Sequence, residues 1–271
     1  MNPPESTEPF QPQPAGKVFR LQNDWERLLH SLPQFHSSAT VYRGNHAIHC
    51  QSGRFPNMTC VDSSAFFSEG FRGTTLNLEH WAEAWWYHEE RFGKLLPCLE
   101  VADEKGTGLF KLCYRDLESS SQDQTLLQQF IQEEADEWSL LHLQRSNMMN
   151  CVRGHHPCKT HPPFVKTISA IQKEAIDKNT ELGLILPHQK QSSWDCLRPL
   201  HQKPACCWFG FGENEDFIAI QPAAYQRAEV FDTGNRTTAL FFDKNDDPAL
   251  SIIQPEGHIF QSLQTLKSIL T

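Results

Sequence analysis

Along most of the chain apolar residues come in short, strand-length runs broken by turn residues. "NDWERLLHSLPQF" is the first departure. Asn23 or Asp24 offers a helix start, Trp25, Leu28, Leu29 and Leu32 follow at helical spacing, and Pro33 stops the run. Strand-like pieces come next. "ATVYRG" and "HAIHCQSG" are joined by a hairpin turn at Gly44-Asn45, and "FPNMTCVD" and "AFFSEGFRG" continue in the same style. In "TLNLEHWAEAWWYHEE" the alternation at Leu76 and Leu78 shifts to a mixed aromatic run. "KLLPCLEVADEKGTGLFKLCYRD" predicts a hairpin turning at Asp103-Glu104-Lys105-Gly106, and "QTLLQQFIQEEADEWSLL" predicts an amphipathic helix.

The same order then returns. "KPACCWFGFGENEDFIAIQPAAYQRAEVFDTG" leads to "RTTALFFDKNDDPALSIIQ" and to the helix "HIFQSLQTLKSIL". Leu76 and Leu78 match Ile218 and Ile220, the turn at Asp103 matches that at Asp243 after a two-residue gap, and each hairpin runs into a helix. Identities are few, but element order and spacing agree, which predicts an internal duplication of a sheet-plus-helix unit. The expected fold class is α+β, with two large antiparallel sheet units, each flanked by helices. The expected divisions are a proline-rich tail over 1–16, a first repeat over 17–135, a connector and helix over 136–181, and a second repeat over 182–271.

Composition narrows the function. A formal net charge of −9 argues against nucleic acid, whose phosphates need a basic face. No apolar run approaches the roughly 20 residues of a membrane-spanning helix, so no integral membrane insertion is expected. "MNPPESTEPFQPQPAG" lacks the cationic start and apolar centre of a secretory signal, which predicts a cytoplasmic protein. The chain has 9 cysteines, with no C-x-x-C pair, so free thiols are expected in a reducing compartment. Walker, dinucleotide, G-x-S-x-G and H-E-x-x-H motifs are absent. The aromatic run Trp81, Trp85, Trp86, Tyr87 reads as sheet packing, and the carboxylates of Glu133 to Glu137 as a solvated helix face.

Candidate chemistry concentrates in residues 153–164, "RGHHPCKTHPPF", on the connector between the repeats. Ligand sites favour such junctions. His155, His156 and His161 are candidate metal ligands, and Cys158 a candidate thiolate. A zinc site from Cys151, His155, Cys158 and His161 is the alternative, although its spacing matches no standard knuckle.

The opening "NDWERLLHSLPQFHSSATVYRGNHAIHCQSGRFPN" resembles that of the bacterial hemin-degrading factor family, the HemS/ChuS type, in Trp25, Leu32-Pro33, Arg43, Asn45, His49 and Gly53. "LNLEHWAEAWW", "LEVADEKGTGLFKLCY", "CWFGFGENEDFIAIQPAAYQRAEV" and "ALFFDKNDDPALSII" resemble its later segments, so the likeness runs from Lys17 to the end. The resemblance implies the duplicated HemS/ChuS/ChuX-like fold. It also implies a cytoplasmic protein of heme utilisation that carries hemin (iron protoporphyrin IX) and opens the ring oxidatively when an external reductase supplies electrons, or hands it to a heme-accepting protein.

The family's heme-ligating histidine lies in a "T-H-x-F-F"-like stretch that begins a helix, matched here by "KTHPPFVKTISAIQKEA". The resemblance therefore carries the iron ligand to His161, with His155 and His156 as alternates and Phe164 on the following helical face. Arg153, Lys159 and Lys166 are the candidate partners of the heme propionates. The family's arginine near the other heme face falls in a region that here reads Thr74-Thr75, with Arg72 the nearest arginine. The rival from another class is a non-heme binding or interaction module that retains the duplicated scaffold.

Overall fold

The computed structural model describes residues 17–36, 39–44, 46–91, 94–114, 117–140, 163–188, 190–199, 209–213 and 216–270. Among them are two antiparallel sheets. The nine-stranded sheet runs, edge to edge, β10 (Ile131–Ala135), β1 (Val18–Leu21), β7 (Glu83–Arg91), β8 (Lys94–Ala102), β9 (Gly108–Cys113), β2 (Ala39–Arg43), β3 (Ala47–Ser52), β14 (Asp216–Ile220) and β13 (Phe209–Glu213). The eight-stranded sheet runs β15 (Arg227–Thr233), β16 (Arg236–Phe242), β17 (Pro248–Ile253), β11 (Leu182–Leu186), β12 (Gln191–Leu197), β6 (Arg72–Asn77), β5 (Ser64–Glu69) and β4 (Thr59–Val61). Four helices accompany them: α1 (Trp25–Ser31), α2 (Leu117–Gln128), α3 (Pro163–Asp177) and α4 (Gln261–Leu270).

The halves repeat each other element by element. Each opens with a helix and a hairpin (α1, β2–β3; α3, β11–β12). Each then has a strand pair ending in a short 3₁₀ turn, η2 (Leu78–His80) or η4 (Pro222–Ala224), followed by a three-stranded meander and a helix. The expected α+β duplication is what the chain adopts. The 3₁₀ turns set the register: Leu78 corresponds to Pro222, and Leu76 to Ile220, two residues from the match read off the sequence. Side chains alternate with period two along a strand, so a slip of two keeps the inward face inward. All of Leu76, Ile218 and Ile220 are buried.

Each half has its own core. In the first, Trp86, Leu99, Val101, Phe110 and Leu112 of the large sheet meet Leu28 and Leu29 of α1 and Ala65 and Leu76 of the β5–β6 hairpin. In the second, Leu184, Phe241 and Ile252 meet Phe211, Ile218, and Ile168 and Ile171 of α3. The hairpin that covers each core passes into the opposite sheet. β6 pairs with β12, and β14 pairs with β3. Gly73 stands opposite Trp194 in the first of these seams, and a Cβ there would lie 2.6 Å from the indole.

Local signals explain several boundaries. Asp24 accepts from the Arg27 amide and caps α1, and Pro33 occupies the following 3₁₀ turn. One expectation is corrected. "QTLLQQFIQEEADEWSLL" is not a single helix: α2 ends at Gln128, and Ile131–Ala135 is an edge strand. Glu133 and Glu134 are exposed on that strand, where they pair with Arg20 and Lys17 across the sheet edge. Charged side chains there keep the edge from recruiting another strand.

The turns after β8 and β16 are chemically the same. Asp103 accepts from the amides of Lys105 at 2.9 Å and Thr107 at 2.8 Å, and Asp243 from those of Asn245 at 2.8 Å and Asp247 at 3.2 Å. Each aspartate also meets a nitrogen-bearing side chain from the opposite half. Lys190, just before β12, pairs with Asp103, and His46, just before β3, reaches Asp243 at 3.4 Å. Burial opposes the charge on both carboxyls, but these donors outweigh it and hold both below the usual carboxylate range. With folded values below the unfolded value of about 3.9, both aspartates stabilise the fold above roughly pH 4 and lose that contribution as pH falls further. Asp103→Ala is expected to cost about 1–3 kcal/mol at neutral pH in urea unfolding. Its gap from wild type should close as the pH is lowered through the folded carboxyl's range.

Candidate ligand-binding site

The helix that follows the histidine-rich connector is anchored from its first turn. Pro163 opens α3, where a missing N–H is harmless. Phe164 is buried and packs edge-on against Phe241, with ring centroids 5.5 Å apart, and Tyr225 lies 5.6 Å beyond on the same ring. The Tyr225 hydroxyl is buried and has no hydrogen-bond partner among the described residues. Burial raises its pKa, so it stays a neutral phenol. Lys166 is exposed on the same helical turn. Farther along, Gln172 donates to the Gly210 carbonyl at 2.9 Å. Glu174 accepts from the amides of Gln261 and Ser262 at the start of α4. Burial opposes its charge, but these amides and the Ser262 hydroxyl hold its carboxyl below the usual range.

The sequence-predicted residues are distributed as follows. His155, His156, His161, Arg153, Lys159 and the cysteines Cys151 and Cys158 of the zinc alternative lie outside the described residues. Phe164 belongs to the second core, and Lys166 faces solvent. Arg72, on β6, is held by two carboxylates: its guanidinium lies 3.3 Å from Asp216 and 3.7 Å from Asp195. Trp81, Trp85, Trp86 and Tyr87 are buried in sheet packing, as their pattern suggests, and Trp81 stacks between Trp25 and Phe110.

A separate cavity of about 430 Å³ opens between the β2–β3 and β11–β12 turns. Tyr42, Arg43, His46, His188, Lys190 and Asp243 are among its walls. Burial lowers the pKa of His46 and His188, so both imidazoles are neutral near pH 7. Lys190 and Arg43 are paired with carboxylates outside the walls, Asp103 and Glu100, and His46 reaches Asp243 at 3.4 Å. Ala47, Leu186, Pro187 and Pro248 also line it, so polar groups and apolar surface are mixed in its walls.

The sequence reading missed this niche and the groups beneath it. Its walls come from turns that are far apart in the chain, and no spacing motif ties His46 to Asp243. One signal was available: His49 stands between Ile48 and Cys50 in a strand whose positions are nearly all buried.

The fold and these sites define a duplicated α+β protein whose two sheets are each completed by strands from the other half. By sequence, residues 7–130 match the family model of the haemin-degrading HemS.ChuX domain. In fold the chain is similar to the E. coli heme oxygenase ChuS at 15% identity and TM-score 0.64, covering 93% of this chain and 88% of ChuS. It is also similar to PhuS, a heme-binding protein from Pseudomonas aeruginosa, at 12% identity and TM-score 0.63, covering 94% and 87%. No curated protein matches the chain by sequence. No helix among the described residues is long and apolar enough to cross a membrane.

The packing of Phe164 has a direct consequence. Phe164→Ala is expected to lower the stability of the heme-free protein by about 3–5 kcal/mol in urea unfolding. A residue whose main work was against a ligand would leave that value near wild type.

Proposed function

We propose that this protein binds heme through His161 and serves heme utilisation. The observation that carries the reading is the match of residues 7–130 to a haemin-degrading domain, in a chain of which 93% and 94% align with the folds of ChuS and PhuS. Heme needs a neutral imidazole held by a firm backbone, apolar surroundings and cations at its propionate edge. The residues at the start of α3 suit these needs. His161 directly precedes Pro162 and Pro163, and the helix that follows is pinned by Phe164 over Phe241 and Tyr225. Lys166 is exposed one turn into the helix, with Lys159 and Arg153 nearby in sequence. Arg72 is already neutralised by Asp195 and Asp216, so the propionate role falls to these other three. His155 and His156 are the alternate ligands.

Bound heme supplies the redox-active iron. Oxidative opening of its ring would draw electrons from an external reductase, and carriage would need a heme-accepting partner. A cytoplasmic setting suits the thiols of Cys60, Cys98, Cys113 and Cys196, which form no disulfides.

Titrating purified protein with hemin is expected to give a saturable Soret band that His161→Ala removes while the far-UV circular dichroism is unchanged. Absence of a saturable band in wild type overturns the reading. Adding reductant under air then separates the two outcomes. Decay of the band with release of iron means degradation, and a persistent band of the reduced protein means carriage.

A further inference from the structure

Where the hairpins cross between sheets, four polar side chains from four strands converge. His49 on β3 and Asp216 on β14 lie in the large sheet, and Arg72 on β6 and Asp195 on β12 lie in the other. His49 and Arg72 come from the first half, and the two aspartates from the second. One ligand atom each from His49, Asp195 and Asp216 can be chosen so that all lie within 4.8 Å of one another.

His49 is the unusual member. Its side chain is 0% exposed, and neither ring nitrogen has a hydrogen-bond partner among the described residues. A buried imidazole left in that state is costly. Its Nε2 stands 3.5 Å from Asp195 Oδ2. That separation is close to the edge, about 3.4 Å, of a tetrahedron with metal–ligand bonds of roughly 2.1 Å. Burial pushes the imidazole pKa down, against the pull of Asp195, so the ring is in its neutral, ligating form.

We propose that His49, Asp195 and Asp216 form a binding site for a divalent transition-metal cation. One imidazole and two carboxylates are a donor set for zinc, manganese, cobalt or ferrous iron, and less apt for calcium, which takes oxygen ligands throughout. The three ligands carry two negative charges, and the Arg72 guanidinium now balances part of that. Its nitrogens lie 3.3 and 3.4 Å from Asp216, and Nε is 3.7 Å from Asp195. Ser52 also donates to Asp216 at 3.5 Å. Arg72 is 32% exposed and has room to turn toward solvent as a cation enters. The bound metal joins strands of both sheets and both halves, so it is a cross-link between the repeats, separate from the connector histidines.

The test uses the full chain with His155, His156 and His161 changed to Ala and Cys158 to Ser, which removes the connector ligands. The protein is stripped with a chelator and then titrated with Co²⁺ and with Zn²⁺. One equivalent of Co²⁺ is expected to give visible d–d absorption, and Zn²⁺ to raise Tm. His49→Gln, and separately Asp216→Asn, are expected to lose both signals while keeping the circular dichroism of their parent. Arg72→Ala is expected to tighten binding by about tenfold, because a competing positive charge is gone. Absence of saturable Co²⁺ absorption in the parent overturns the proposal. So does an absorption that persists in a folded His49→Gln or Asp216→Asn protein. Heme binding by the unaltered chain is untouched by either outcome.

Discussion

The structure depends on one pairing made twice: β6 against β12, and β14 against β3. Each half builds a sheet and covers its core with a hairpin, and that hairpin would end in an open strand edge. Unpaired edges carry a row of unmet backbone donors and acceptors, which proteins must pair, cover or blunt. Here the two halves meet each other's need, so every hairpin edge at the crossing finds a strand. The cross-half contacts at Lys190–Asp103 and His46–Asp243 reinforce that closure at the turns. The cores are nearly separate, Ala47 being the first-half residue in the second core among the described residues, yet neither half can present satisfied strand edges without the other.

The duplication did not keep the two halves chemically equal. Glu100 sits three residues before the turn aspartate of the first half and is fully buried on the outer face of the large sheet. There it accepts from Tyr87 and pairs with Arg43, while Lys111 pairs with Glu89 at 2.5 Å and lies 3.7 Å from Glu100. Two cations and two carboxylates balance, as burial demands, because an unpaired charge in such a place costs several kcal/mol. Gly108 is required beneath them, since a Cβ there would come 2.7 Å from Glu100 Oε1. The residue in the same place in the second half is Leu240, half-buried. One repeat places a buried carboxylate at that position, and the other places a leucine there.

Much of this was legible in the residues. The helix stop at Pro33, the aspartate-led turns and the order of hairpin, meander and helix are local chemistry, which sequence carries directly. The register slip between Leu76 and Ile220 shows the limit, because period-two alternation cannot tell a match from its neighbour two residues away. The strand at Ile131–Ala135 was hidden by its setting. Glu133 and Glu134 suit a helix face equally well, and only the free edge of β1 makes them a strand. The exchange of hairpins was out of reach, because strand pairing between residues over a hundred positions apart leaves no local mark. For the same reason Asp195 and Asp216 could not be joined to His49 on paper.

The anchoring of α3 bears on the ligand proposed at His161. A flexible loop positions a ligand poorly unless it runs into something rigid within a residue or two. Here two prolines follow His161, and Phe164 is already locked in the second core. Glu174, near the far end of the same helix, caps α4 through two backbone amides, and Gln172 holds the β13 carbonyl of Gly210. The helix is therefore fixed at both ends to elements of the second half. A group held at its start, as proposed for His161, would move with the elements that Phe164, Gln172 and Glu174 grip.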